Sequence, residues 1–194
     1  MTTLDALRDA LPDYARDLRL NLGSVLSPTG APGLTERQIW AVALGAAEAA
    51  RNPAFAAAIG ELAAAHLDTA YLTGARAAAA IMGMNNVYYR FLHLVEDPEY
   101  GRMPARLRMN VIGNPGIDKV EFELVSLAVS AINGCGTCIV SHERQVRQHG
   151  LSREAVQSAV RIAATIHAVA RVLESVGWGT AGNAQTAGRS PFLL

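Results

Sequence analysis

The chain has 194 residues and a mass of 20.5 kDa, and its 17 basic and 17 acidic residues give a formal net charge of zero. Apolar residues make up 51% of the sequence and aromatic residues only 6%, so alanine supplies much of the apolar content. The balanced charge gives no electrostatic support to a nucleic-acid or anionic-membrane partner, and no apolar run approaches the roughly 20 residues of a membrane-spanning helix.

The beginning of the chain and its cysteine content indicate a compartment. Residues 1–18 lack the cationic and then apolar pattern of a secretory signal. We therefore expect a cytoplasmic protein, and structural disulfides are rare in the reducing cytosol. The two cysteines are then more consistent with catalysis or metal binding.

The first half of the chain predicts five helices. Leucines 4, 7 and 11 fall at helical spacing, and Pro12 is placed to open a second helix that turns Tyr14 inward. Residues 27–33 form a loop, after which Thr35 and Gln38 have the spacing of a capping box and predict a helix that ends at Asn52. Two alanine-rich helices are predicted over 54–72 and 74–94.

The second half predicts three more helices. Asp118 is a good N-cap for a helix over 119–133, which the Asn133-Gly134 pair ends. A helix with both cysteines follows to about residue 148, and Ser152 caps another that runs to about residue 176. The predicted fold is all-α, with a single helical domain over 1–176 and a flexible tail over 177–194.

A short internal echo accompanies this pattern. Residues 80–84 (AIMGM) match residues 131–135 (AINGC) at an offset of 51, and each follows an apolar helix. The echo is compatible with an internal duplication whose first copy lost its chemistry, since Met84 and Val87 stand where the cysteines stand in the second. Chance similarity between alanine-rich helices explains five residues almost as well.

The segment Asn133–Glu143 (NGCGTCIVSHE) carries the chemistry. It contains both cysteines, Cys135 and Cys138, with His142 four residues after the second. On a helix these three side chains share one face, so the sulfurs can meet and the imidazole can take a proton from Cys138. The glycine break places both sulfurs near a helix N-terminus, where a thiolate is stabilised.

Glu123 joins this group by geometry. If the helices on either side of Gly134 fold back on each other, Glu123 lies roughly 16 Å and His142 roughly 12 Å from the break, at about 1.5 Å per residue. Side chains can cover that difference. A carboxylate that orients a histidine, which in turn activates a thiol, is a recurrent arrangement for a nucleophile.

Other interpretations of these residues are open at this point. Glu123 alone is a surface carboxylate, His142 alone a solvated histidine, and the cysteines could be inert core residues. Together the four could also supply a zinc site, although there is no second C-x-x-C pair.

The spacing Glu123-x11-Cys135-x2-Cys138-x3-His142 resembles the active-site signature of the AhpD-type alkylhydroperoxidases, within the carboxymuconolactone decarboxylase-like superfamily. The resemblance covers residues 4–175 and includes further segments: Leu11–Ala15, Ala50–Pro53, Ile81–Arg90, Leu107–Asn110 and Asn114–Ile117. One position departs from the pattern, because Thr137 stands where family members carry a histidine.

This resemblance implies an all-helical subunit that assembles as a homotrimer, with no bound cofactor or metal. It implies thiol peroxidase activity on organic hydroperoxides and electron donation to AhpC, the peroxiredoxin of the alkyl hydroperoxide reductase system. The reducing equivalents would come from the lipoyl dithiol (dihydrolipoamide) of a dihydrolipoamide acyltransferase. By the family pattern, Cys138 becomes a sulfenic acid, Cys135 resolves it and donates a proton, and Glu123 and His142 complete the relay.

We therefore predict a dithiol peroxidase. Two other functions remain open: a redox sensor whose disulfide changes an interaction surface, and a ring-opening or decarboxylating enzyme of the same superfamily. Continuous consumption of peroxide with a lipoyl reductant would distinguish a peroxidase from a sensor. The C-x-x-C pair itself argues against a decarboxylase, whose chemistry needs no dithiol.

Overall fold

In the computed structural model, residues 3–179 are described, and every regular element in that range is helical. The helices are α1 (Leu4–Asp9), α2 (Arg16–Val25), α3 (Glu36–Ala49), α4 (Pro53–Ala63), α5 (Thr69–Leu94), α6 (Pro98–Arg102), α7 (Asn110–Gly113), α8 (Lys119–Asn133), α9 (Gly136–Gln148) and α10 (Arg153–Ser175). The prediction of an all-α fold is confirmed. No described helix is long and apolar enough to cross a membrane.

Helix α8 lies at the centre of the fold. It packs against α3, α5, α9 and α10, and every residue from Glu121 to Ser130 is buried. Small residues permit this close approach: a Cβ added at Gly45 of α3 would lie 2.3 Å from Cγ1 of Val125. The alanine-rich composition therefore serves close helix packing, and it places two glutamates of α8 inside the protein.

The helix starts agree with the capping residues in the sequence. Thr35 and Gln38 form a complete capping box at the start of α3. The Asp118 carboxylate accepts hydrogen bonds from two backbone N–H groups at the start of α8, and Ser152 caps α10 through the backbone N–H of Ala155. These contacts satisfy backbone donors that the helices leave unpaired.

The predicted boundary between the two alanine-rich helices is wrong. The sequence predicts helices over 54–72 and 74–94, but α4 ends at Ala63 and α5 begins at Thr69. The Asp68 carboxylate accepts a hydrogen bond from the backbone N–H of Tyr71 and so caps α5. Gly74 lies buried inside α5, where an added Cβ would meet Ile117 at 2.7 Å. This glycine marks a close packing contact and not a break.

The second predicted helix also begins differently. Pro12 precedes a short 3-10 turn over Asp13–Ala15, and α2 begins only at Arg16. Tyr14 lies in that turn and is 74% exposed, so the expectation that it points inward is wrong. Leu7, Leu11 and Leu22 are buried as their spacing predicts.

The echo between the two halves has different local structures. Gly134 ends α8 in the left-handed conformation with φ 69°, whereas Gly83 lies within the uninterrupted helix α5. The internal duplication stays a prediction.

The start of the predicted tail contacts the helical domain. Trp178 packs against the hydrophobic core, and its backbone N–H donates to the carbonyl oxygen of Leu173 at 2.9 Å. The remainder of the predicted tail, residues 180–194, lies outside the described residues.

Candidate active site

The turn between α8 and α9 positions the two cysteines. Gly134 takes the left-handed conformation, which favours glycine. Cys135 follows as the N-cap of α9, so it precedes the helix that the sequence predicts to contain it. Its sulfur accepts a hydrogen bond from the backbone N–H of Cys138 at 3.3 Å. One backbone donor at the helix start is thus directed at a cysteine sulfur, as the sequence predicts.

Cys135 and Cys138 form a disulfide, with their Cα atoms 5.3 Å apart. Both are buried: Cys135 is 0% exposed and Cys138 is 6% exposed. From the sequence, Cys135 is expected to be the more exposed of the two because it lies nearer the helix start and the glycine, and this expectation is wrong. Cys135 is the N-cap of α9, and its side chain folds back over the first turn of that helix. Its position next to the glycine that ends α8 therefore does not bring it to the surface.

Glu123 and His142 meet as the helix geometry predicts. The Oε2 atom of Glu123 lies 2.6 Å from Nδ1 of His142, and both side chains are nearly buried. A carboxylate at Nδ1 fixes the ring orientation and stabilises positive charge on the imidazole. The pair joins α8 to α9 one turn beyond Cys138.

The second ring nitrogen of His142 faces a methionine. Its Nε2 atom lies 3.2 Å from Sδ of Met82, a buried residue of α5. A thioether sulfur is a weak hydrogen-bond acceptor. The contact therefore occupies Nε2 while Cys138 is held in the disulfide. No sequence signal indicates this contact, since Met82 occupies an ordinary apolar position of a long helix.

A polar network holds the cysteine turn against α5. The Asn86 side chain donates to Oγ of Ser130 at 2.9 Å and accepts from Nδ2 of Asn133 at 2.9 Å. Arg90 donates to the carbonyl oxygen of Asn133 at 2.6 Å. The sequence analysis missed this network, although an Asn-Asn pair within an apolar helix is a signal that could have indicated it.

A cavity of about 470 Å³ opens onto this group. Cys138, His142 and Glu123 line it, and Cys135 does not. Thr137, the position that departs from the resemblance, also lines the cavity. The remaining walls carry Met82, Asn85, Tyr89, Met109, Ile112, Lys119, Ser141 and Gln145. One cysteine of the disulfide therefore lines a space large enough for a small molecule.

A zinc site is one alternative for the same residues. Within residues 3–179, no group of three or more His, Cys, Asp or Glu side chains is arranged to hold a metal ion. Both sulfurs are bonded to each other.

A second buried carboxylate of α8 has a different partner. Glu121 accepts hydrogen bonds from the Arg37 guanidinium at 2.9–3.3 Å. These bonds and the charge of Glu121 raise the pKa of Arg37. Burial, followed by the charge of Glu121, raises the pKa of Tyr71, over whose ring the Arg37 guanidinium lies at 4.6 Å. This group ties α3 and α5 to the start of α8 and lies outside the cavity.

Known proteins resemble this chain over nearly its whole length. It is 60% identical over 173 residues to "Alkyl hydroperoxide reductase AhpD" of Rhodospirillum centenum. The matched region covers 89% of this chain and 91% of that protein. The chain belongs to the AhpD family. Other AhpD proteins are similar to it: that of Maricaulis maris is 54% identical over 88% of this chain and 97% of its own length. That of Frankia alni is 52% identical over 90% of this chain and 92% of its own length. Residues 98–181 match the model of the carboxymuconolactone decarboxylase family.

In this AhpD chain the fold brings together all four residues that the sequence singled out. Cys135 and Cys138 are bonded, and Glu123 contacts His142 within the same cavity wall. The structure adds Met82, the polar network at the turn and Lys119.

Proposed function

We propose that this protein is a dithiol peroxidase that reduces organic hydroperoxides. The observation that carries the proposal is the disulfide between Cys135 and Cys138, which lies at a cavity shared with the Glu123–His142 pair. The names of its AhpD relatives, alkyl hydroperoxide reductases, support the same activity.

The first step oxidises Cys138. Its thiolate attacks the terminal oxygen of the hydroperoxide, and the O–O bond breaks with its electron pair on the departing alkoxide. The resemblance implies Cys135 as proton donor, but we assign this role to His142 because it lines the cavity and Cys135 does not. A proton from the His142 imidazolium converts the alkoxide to an alcohol, and Cys138 becomes a sulfenic acid. We assign this role to Cys138 because it, and not Cys135, lines the cavity. Glu123 stabilises the imidazolium through its contact at 2.6 Å.

The second step forms the disulfide. The Cys135 thiol attacks the sulfenic sulfur, the S–O bond breaks, and the departing hydroxide takes up the proton that the thiol loses and leaves as water. The Cα separation of 5.3 Å allows this bond within one chain. In this scheme, reduction of the disulfide lets Nε2 of His142 exchange Met82 for the Cys138 sulfur as its partner.

An external dithiol completes the cycle. We propose a lipoyl dithiol on a dihydrolipoamide acyltransferase, which becomes oxidised as the two cysteines regain their thiols. We propose that the same cysteines pass electrons to the peroxiredoxin AhpC of the alkyl hydroperoxide reductase system. The resemblance supports both partners. A cytoplasmic location fits this cycle, because cytosolic thiols are kept reduced.

We also propose the homotrimer that the resemblance implies. Large apolar side chains lie exposed in the C-terminal half of α5 and in the segment that follows it: Val87, Phe91, Leu94, Tyr100, Met103 and Leu107. Exposed apolar patches of this kind mark surfaces that another protein covers.

Peroxide consumption tests the proposed activity. Wild-type protein with dihydrolipoamide should consume an organic hydroperoxide over many turnovers, and Cys138→Ser should not. A single turnover per chain would instead favour a redox sensor. Turnover that survives in Cys138→Ser would exclude the proposed dithiol cycle.

A further inference from the structure

The cavity beside Cys138 has an apolar wall. Met82, Tyr89, Met109 and Ile112 line it on the side of α5 and α7. Such a wall suits a hydrocarbon chain, which gains free energy when its surface leaves water.

A lysine side chain lines the same cavity. Lys119, the first residue of α8, lines it with an exposed side chain. It is the only lysine in the sequence, since every other basic residue apart from histidine is an arginine. A lysine ammonium is a compact charge on a flexible stem.

The carboxylates closest to Lys119 along the chain already have other partners. Asp118 accepts from the backbone N–H groups of Val120 and Glu121. Glu121 is paired with an arginine, and Glu123 with a histidine. Lys119 itself forms no ion pair or hydrogen bond through its side chain with any residue in the described range 3–179. Its charge is therefore available to a molecule in the cavity.

We propose that Lys119 binds the carboxylate of the substrate, so that the preferred substrates are amphipathic hydroperoxides with an anionic head group, such as fatty acid hydroperoxides. The head group lies at Lys119, the hydrocarbon lies against the apolar wall, and the O–O bond faces Cys138. This inference rests on the proposed peroxidase function and names its substrate class.

A comparison of acid and ester substrates tests this specificity. For each variant, kcat/KM is measured with linoleic acid hydroperoxide and with its methyl ester, in which an uncharged ester group replaces the carboxylate. Lys119→Met should lower the acid-to-ester ratio about two- to fivefold, the range of an exposed ion pair, mainly through KM for the acid. Lys119→Arg should keep most of the wild-type ratio. Added salt should lower the wild-type ratio because it screens the charge.

Arg153→Met is the matched control. Arg153 is an exposed cation and the first residue of α10, directly after its N-cap, but it does not line the cavity. The acid-to-ester ratio of Arg153→Met should equal that of the wild type. An acid-to-ester ratio that is the same in Lys119→Met and wild type, or that falls equally in Arg153→Met, would overturn the proposal.

A second experiment measures binding without turnover. Because Lys119 is the only lysine, an amine-specific acylating reagent modifies one side chain, and peptide mass spectrometry gives its rate with the N-terminal amine as an internal reference. Octanoate should slow the acylation of Lys119 in the oxidised protein, and octanamide should not. Equal effects of the two ligands would refute carboxylate binding. If the wild-type protein shows no peroxidase turnover but octanoate still slows the acylation of Lys119, only the proposed function is refuted.

Discussion

Replacing each buried glutamate of α8 by glutamine should separate catalysis from stability. Glu121 and Glu123 lie two residues apart, both are buried, and each contacts one basic side chain. Only Glu123 lines the cavity. Glutamine keeps the size of the side chain and removes its charge, so the two substitutions make the same chemical change in two places.

The magnitude for Glu123→Gln follows from its contact with His142. Two unit charges at the observed 2.6 Å interact by about 6 kcal/mol at an effective dielectric constant of about 20, which sets an upper bound. A general acid–base relay contributes about a hundredfold to ten-thousandfold in rate, or about 2.7–5.4 kcal/mol. The expected loss lies below the bound. Glu123→Gln should therefore slow the oxidation of Cys138 by about a hundredfold to ten-thousandfold.

Glu121→Gln should act mainly on folding. It removes a charged hydrogen-bonded pair, but the side chain of Arg37 is half exposed. We expect a loss of about 1–2 kcal/mol in the free energy of unfolding, since water weakens such a pair. The rate of peroxide reduction should stay within about twofold of the wild type.

Stopped-flow oxidation of the reduced protein and chemical unfolding give the two quantities for both variants. Equal losses of rate in the two variants would contradict the relay, because they would trace the effect to α8 as a whole. A normal rate in Glu123→Gln would remove Glu123 from the mechanism.

Four further predictions concern other parts of the protein. Cys135→Ser should react once with peroxide and give a sulfenic acid that dimedone labels, and Cys138→Ser should not; the reverse pattern would exchange their roles. Gly134→Ala should lower the free energy of unfolding by about 1–2 kcal/mol through its left-handed backbone, and Gly83→Ala in α5 should raise it; equal effects would contradict the backbone argument. Light scattering should give a trimer, and a mass near 20 kDa would refute it. Since burial and then a neighbouring carboxylate raise the pKa of Tyr71 above 10.0, the folded protein holds that proton more tightly. Tyr71→Phe should therefore lose less stability than the wild type as the pH rises through and above 10, and identical alkaline unfolding curves would contradict this.

The sequence alone determined the local elements whose signals lie within a few residues. Thr35, Asp118 and Ser152 cap helices where the sequence places them, because capping is a contact between a side chain and the next turn of backbone. Gly134 ends α8 for another local reason, because glycine takes the left-handed conformation without the steric clash that a Cβ would cause. The pairing of Glu123 with His142 follows because α8 ends and α9 begins at one sharp turn, and the rise per residue of a helix is fixed.

The tertiary structure decided what depends on neighbours distant in the chain. The helix boundary predicted at residue 73 lies inside α5, where Gly74 packs against Ile117, 43 positions away. Tyr14 has helical spacing but lies in a 3-10 turn at the surface.

The two sulfurs show the same limit. Their spacing predicts the disulfide, but burial of Cys135 and the opening of the cavity at Cys138 depend on how α5 and α8 pack against the turn. Two other features also depend on how separate helices pack. Met82 of α5 contacts His142 of α9, and Lys119 of α8 lines a cavity that α5 and α9 also line. No periodicity or spacing along one segment carries that information.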